Sequence, residues 1–240
     1  MRHFVAGLGF LALACGHAAA QDVDLELVLL ADSTGSITDA EIAFQRQGYA
    51  AALTDPAVLS AIANTAYGSI AVTYVEWGQF DSQQVVAPWT IIRSEAEARA
   101  IAASILAAPR LARGRNAIGQ ALIFGRDLIE GNDISGFRRI IDFSADSTGN
   151  FNGPPIEEGR AAALAAGITI NGLAVACRDC ASGGGDAMAL EDPFRQRIIG
   201  GPGAFVVTAD SPAVFAASVR RKLILEISGG LPERRVADGR

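Results

Sequence analysis

The sequence predicts an α/β fold: a doubly wound, mostly parallel six-stranded sheet with one antiparallel edge strand and helices on both faces. Three observations lead to it. Residues 25–30 are apolar except for Glu26, the near-continuous run of a strand covered on both faces. Two strand-like segments, 69–77 and 83–92, follow one another with no helix between them, as an antiparallel pair does. From residue 94 to about residue 227 helical and strand patterns alternate, the signature of parallel βα units. Composition agrees. Of 240 residues half are hydrophobic and 19% are charged, which excludes a disordered chain. A chain of this length can bury about 70% of its unfolded surface, so its core needs no staples.

Taken in order, the first twenty residues stand apart. Met1-Arg2-His3 gives a short positive start, 4–14 an apolar run too short to span a bilayer, and Ala18-Ala19-Ala20 a small-residue cleavage pattern. This is the pattern of a secretory signal peptide cut after Ala20, with a lipobox ending at Cys15 as the alternative. The rest, 21–240, reads as one domain with its core at about 24–227 and a polar tail at 229–240. Thr38-Asp39-Ala40-Glu41 is a capping box opening a helix to about Leu53. Asp55-Pro56 then interrupts it before a short helix over 57–63. The strand 69–77 is rich in β-branched and aromatic residues. In 83–92, Pro88 cannot donate to a ladder and so marks an edge.

A second capping box, Ser94-Glu95-Ala96-Glu97, starts an alanine-rich helix that stops at Pro109. A basic turn over 111–115 precedes a helix expected over 116–130. A strand at 139–144, a helix at 155–166 closed by Gly167, and a strand at 169–176 follow. A helix at 191–199, a strand at 204–209, and a last helix from Ser211-Pro212 to about Ile227 complete the chain.

Charge and absences narrow the function. The net charge is −6 and the pI about 5.0, the wrong sign for a nucleic-acid binder. No apolar run beyond residue 20 has membrane-spanning length. Both histidines, His3 and His17, fall in the signal segment. The mature chain thus has no imidazole, which excludes Ser-His-Asp and Cys-His catalysis and a His-ligated zinc. It has one lysine, Lys222, which with Arg220 and Arg221 reads as a solvated stripe on the last helix. Trp77 and Trp89 sit in strands and read as core or edge packing.

In doubly wound sheets ligands bind beyond the carboxyl ends of the strands, where strand order reverses. After the first strand comes Asp32-Ser33-Thr34-Gly35-Ser36. Its carboxylate and hydroxyl oxygens suit a hard cation such as Mg²⁺, and equally suit an ordinary turn. The constellation resembles the metal-ion-dependent adhesion site of von Willebrand factor type A domains, whose first loop is Asp-x-Ser-x-Ser. Gly114-Arg115-Asn116-Ala117-Ile118-Gly119 resembles their second loop and Phe143-Ser144-Ala145-Asp146-Ser147 their third. The resemblance covers about 24–227.

It is strongest to a secreted bacterial family of such domains with no established function. Gln45-Arg46-Gln47-Gly48-Tyr49, Pro88-Trp89-Thr90, Ile170-Asn171-Gly172-Leu173 and Ile199-Gly200-Gly201-Pro202-Gly203-Ala204-Phe205 carry that part. The resemblance implies a von Willebrand type A, Rossmann-like fold and a metal site of Asp32, Thr34, Ser36, Asn116 and Asp146. Thr34 stands where the family has Ser and keeps the hydroxyl. Asn116 stands where it has Thr, so an amide replaces a hydroxyl. Thr34 and Ser36 would touch the ion, Asp32 and Asp146 would act directly or through water, and a partner carboxylate would complete the shell.

Cys177 and Cys180, three residues apart in an exported chain, are expected to form a local disulfide. A thioredoxin-type redox pair is the alternative. Gly183-Gly184-Gly185 lacks the Lys-Ser/Thr of a phosphate loop. The resulting expectation is an exported binding module, periplasmic or extracellular, that captures a protein partner at the carboxyl edge of the sheet. It needs no catalytic residue and uses at most a weakly held Mg²⁺. Two enzymes stand as alternatives. One is a phosphoester hydrolase using Asp32, though its second Asp is replaced by Thr34 and Lys222 lies far along the chain. The other is a thiol oxidoreductase using Cys177 and Cys180.

Overall fold

The computed structural model describes residues 21–175, 187–210 and 212–230. Its elements are β1 (Gln21–Asp32), α1 (Asp39–Leu53), α2 (Pro56–Ala63), β2 (Ile70–Trp77), β3 (Gln83–Ile92), α3 (Glu95–Ala107) and α4 (Ile118–Glu130). There follow β4 (Ile134–Ala145), α5 (Ile156–Ala165), β5 (Thr169–Val175), α6 (Ala187–Arg197), β6 (Val206–Ala209) and α7 (Pro212–Ser228). The expected positions of the signal segment, Cys177, Cys180, the glycine run and Ser211 lie outside the described residues.

The six strands form one sheet in the order β3-β2-β1-β4-β5-β6. Every pairing is parallel except β2 with β3, so the antiparallel edge is the strand containing Pro88. β1 leads to β2 on one side and pairs with β4 on the other. The strand order therefore reverses between β1 and β4, and the carboxyl ends of these two strands flank the switch point.

Side-chain alternation along β1 builds two cores. Leu25, Leu27, Leu29 and Ala31 face α1, α2, α3 and α7, joined by Tyr49, Val58, Ile101 and Phe215. Val28 and Leu30 face α4, α5 and α6, joined by Leu122, Ala163 and Phe194. In that second core the Trp77 ring stacks on Phe143, centroids 5.1 Å apart. At one place the layers meet without room for a side chain. A Cβ on Gly159 of α5 would lie 2.2 Å from the Gly119 carbonyl oxygen of α4, so these glycines set how closely the two helices cross.

Local signals hold where they are local. The Thr38 amide donates to Glu41 Oε2 at 2.7 Å and the Glu41 amide to Thr38 Oγ1 at 3.2 Å, the reciprocal pairing of a capping box. The Ser94 amide donates to Glu97 Oε2 at 2.7 Å. Asp55 Oδ1 accepts the Ala57 amide at 2.8 Å with Pro56 in the first helical turn.

Several boundaries differ from the sequence reading, and tertiary pairing explains the largest. β1 begins at Gln21 and β4 at Ile134, because 21–23 pair with 134–136. Of those six residues only Val23 and Ile134 are apolar, too few to make a strand pattern of their own. α4 starts at Ile118 rather than Asn116, whose side chain bonds to another loop (below). α6 starts earlier, at Ala187, and ends at Arg197 with Pro193 inside it. One side-chain expectation is overturned. Lys222 is not part of a solvated stripe but fully buried on the sheet side of α7.

Candidate functional site

The carboxyl ends of β1 and β4 place the predicted ligands on neighbouring strands. Asp32 is the last residue of β1 and is 1% exposed. Its Oδ1 accepts the Thr34 amide at 2.8 Å, which folds the first loop back over the strand end. That turn brings the Thr34 and Ser36 hydroxyls to 3.2 Å from each other, close enough to share one ion. Thr34 is buried and Ser36 exposed, so the pair spans from the strand end to the surface.

Asp146 follows β4 directly. Burial, and then the charge of Asp146, push the Asp32 carboxyl up to about 7, while the Thr34 amide and hydroxyl and the Asp146 amide pull against this. The second oxygen, Asp32 Oδ2, is buried and meets no donor at hydrogen-bonding geometry. A buried carboxylate oxygen in that position is costly unless a proton or a cation satisfies it.

Asn116 is nearly buried and joins the second loop to the third. Its Nδ2 donates to Ser147 Oγ at 3.0 Å, and its own carbonyl oxygen accepts the Phe151 amide at 2.8 Å. The side-chain Oδ1 is the acceptor the amide has left to offer an ion. The first and second loops also touch through the Gly35 amide, which donates to the Gly114 carbonyl at 2.8 Å. Gly114 has φ +97°, and a Cβ there would meet the Gln79 side chain, so glycine is required at this crossing. Among the described residues no three His, Cys, Asp or Glu side chains form a metal cluster. The set is therefore two carboxylates, two hydroxyls and an amide, all hard oxygen donors of the kind Mg²⁺ takes.

Four residues that brace this arrangement were not singled out as site residues from the sequence. Arg110 donates to Ser33 Oγ at 3.1 Å, to the Ser33 and Thr34 carbonyls at 2.9 and 3.0 Å, and to Asp39 at 2.7 Å. Ser33 Oγ in turn donates to the Ala112 carbonyl at 2.8 Å. Gln45 Nε2 donates to the Asp32 carbonyl at 3.2 Å, and Ser147 receives Asn116. Arg110 follows Pro109 in a loop some seventy residues from its partners, so no periodicity or cap marks it. Ser33, Ser147 and Gln45 lie inside sequence motifs, the first and third loops and the α1 segment, but their bracing contacts are not legible there.

With the geometry in place, comparisons supply relatives. The family described as "Protein of unknown function (DUF1194)" matches residues 22–231. No curated protein matches. Among solved structures, proximal thread matrix protein 1 from the mussel byssus, with a zinc-occupied MIDAS motif, aligns with TM-score 0.60 and 17% identity. That alignment covers 88% of this chain and 50% of the other, so this chain spans about half the length of the mussel protein. A von Willebrand factor type A protein from Catenulispora acidiphila aligns with TM-score 0.58 and 13% identity over 86% of this chain and 43% of the other. The vWF domain of the type V pili tip protein Mfa5 from Porphyromonas gingivalis gives 0.56 and 12%, over 90% and 99%. Identities this low establish the fold alone.

Proposed function

The chain belongs to the DUF1194 family and has the von Willebrand factor type A fold; from that premise we propose that it is a non-catalytic, exported binding module. It captures a protein partner at the carboxyl edge of its sheet through a Mg²⁺ ion held by Asp32, Thr34, Ser36, Asn116 and Asp146. The observation that carries this reading is Asp32. Its buried Oδ2 meets no donor at hydrogen-bonding geometry, and its carboxyl feels the charge of Asp146 across the switch point. A divalent cation satisfies the orphaned oxygen and removes the repulsion between the two carboxylates at once.

The relatives support the same reading. The mussel matrix protein holds zinc in the corresponding type of motif, and the Porphyromonas domain belongs to a pilus tip. Among the described residues no helix is long and apolar enough to cross a membrane. A hydrolase using Asp32 is disfavoured by Thr34 at the position of a second acid. It is also disfavoured by Lys222, which is buried in the core away from this edge.

Titration calorimetry with MgCl₂ tests the proposal. Heat of binding is expected for the native chain at millimolar Mg²⁺ and is expected to vanish in Asp32→Ala. Pull-down from the native envelope fraction, with and without Mg²⁺, then tests whether capture follows the ion. Absence of heat with either Mg²⁺ or Mn²⁺ would sink the metal-bridged reading.

A further inference from the structure

The chain's single lysine sits where a lysine is least expected. Lys222 Nζ lies 2.8 Å from Asp142 Oδ2 in the middle of β4 and 2.5 Å from Glu226 Oε1 one turn further along α7, and all three side chains are at most 1% exposed. Asn171 Nδ2 donates to the same Glu226 oxygen at 2.9 Å, and Asn171 Oδ1 accepts the Phe205 amide at 3.2 Å. The Phe205 ring centre is 5.7 Å from Nζ, and Tyr49, fully buried, is near enough to feel the charges of Asp142 and Glu226. One cation thus serves two carboxyls in a dry, aromatic-lined core. Burial raises both acids, Lys222 pulls both back down, and the charge of Asp142 raises Glu226 further.

As an ion triad this arrangement is a poor stabiliser, because an interior repays desolvated charges only when every partner is satisfied. As a reaction site it is well set. An amine, a carboxyl and a third group able to carry a proton are held at contact distance with water excluded. Reacting atoms about 3–3.5 Å apart in a fixed pose gain effective molarities on the order of 10⁵–10⁸ M. We propose that Lys222 and Asp142 join in a spontaneous isopeptide bond, with Glu226 as the proton-transfer group, fastening α7 covalently to β4.

The step balances without any co-reactant. A proton moves from the ammonium to the Asp142 carboxylate, giving a neutral amine beside a carboxylic acid. The Nζ lone pair attacks Asp142 Cγ, and Glu226 accepts an Nζ proton as the C–N bond forms. Glu226 then returns that proton to an Asp142 hydroxyl, the C–O bond breaks, and water leaves. Two charges disappear from the core, and Glu226 ends ionised as it began. Asn171 acts on Glu226 rather than on the reacting atoms and is a positioning residue. The product removes the freedom of the last helix to separate from the central strand.

Peptide mapping of the native full-length chain by mass spectrometry after denaturation and reduction tests this directly. An acylated Lys222 is no longer a trypsin site. The expected species is therefore peptide 222–234 joined to peptide 140–160, lighter than their sum by one water. Asp142→Ala and Lys222→Arg are expected to abolish it, and Glu226→Gln to leave the two residues present but unjoined. Separate peptides from a natively folded preparation, one with a cooperative melt, would overturn the proposal whatever the variants do. A bond to Asn171, with ammonia lost instead of water, would overturn the assignment of Asp142. Joined peptides in Glu226→Gln would overturn the role given to Glu226.

Discussion

Asp32 ends β1 and Asp146 follows β4, the adjacent strand, so the charge of Asp146 bears on a carboxyl that is itself buried. Two acids on neighbouring strands at the switch point are a liability to the metal-free chain and an asset to a cation site. The first two testable consequences concern how that liability is relieved.

The first is a pH dependence. The folded Asp32 carboxyl is raised to about 7 from an ordinary 3.8, by burial and then by Asp146. A raised acid binds its proton more tightly when folded. Its contribution is fully present below the unfolded value and is lost as pH rises through about 7. The metal-free chain is therefore expected to melt lower on the alkaline side of neutrality. Added Mg²⁺, replacing the proton, should raise the melting temperature more above pH 7 than below it. Equal Mg²⁺ stabilisation on both sides would show that Asp32 does not bind the ion.

The second concerns strength. Two carboxylates with three neutral ligands make a weakly charged site, and extracellular cation modules of this kind commonly bind at about 10⁻⁴–10⁻³ M. Mg²⁺ affinity of the free chain is expected near 10⁻⁴ M or weaker. Asn116→Thr, restoring the hydroxyl of related domains, should tighten it. Calorimetry on the two chains side by side gives the comparison; an unchanged affinity in Asn116→Thr would remove Asn116 from the ligand set, and a weaker one would show that the amide is the better ligand here.

The third tests the bracing behind the site. Arg46 on α1 pairs with Glu76 of β2 through two hydrogen bonds of 2.7 and 3.0 Å, with side-chain exposures of 7% and 0%. It also donates to the Ala108 and Pro109 carbonyls, just before Arg110 reaches the first loop. Arg46→Ala strands a buried Glu76, and removing one partner of such a pair costs about 3–5 kcal/mol. Urea unfolding should show a loss of that order, whereas Arg113→Ala, at the exposed end of the same loop, should change stability by well under about 1 kcal/mol.

The fourth concerns Cys177 and Cys180. Protein recovered from an oxidising compartment is expected to carry them as a disulfide. The loop they close is very small, so the bond stabilises by at most a few kcal/mol. Replacing both with Ser should therefore change stability only modestly. Two alkylatable thiols in unreduced peptides would refute the pairing.

How far the sequence alone reaches depends on the range of each cause. The capping boxes at Thr38 and Ser94, the apolar run of β1 and the Pro88 edge all rest on contacts within a few residues or on simple periodicity. Each element they mark stands in the structure. The order of strands and helices, and with it the fold class, followed from the same local patterns. Chain order points to the segments after the strands, where Asp32 lies, but Asp146 is named only through the resemblance to von Willebrand factor type A domains. Three things were beyond that reach. The first turns of β1 and β4 are strands only because 21–23 and 134–136 pair with each other. Arg110 braces the first loop only because the fold carries Pro109 and its successor back across it. Lys222 looked solvated beside Arg220 and Arg221. Its burial depends on Asp142 arriving from β4 to share its charge with Glu226 one turn along α7, and on Asn171 of β5, which donates to that Glu226. Short-range hydrogen bonding and side-chain periodicity are written in the sequence. Which polar groups can afford to leave water is decided only once distant segments have brought them partners.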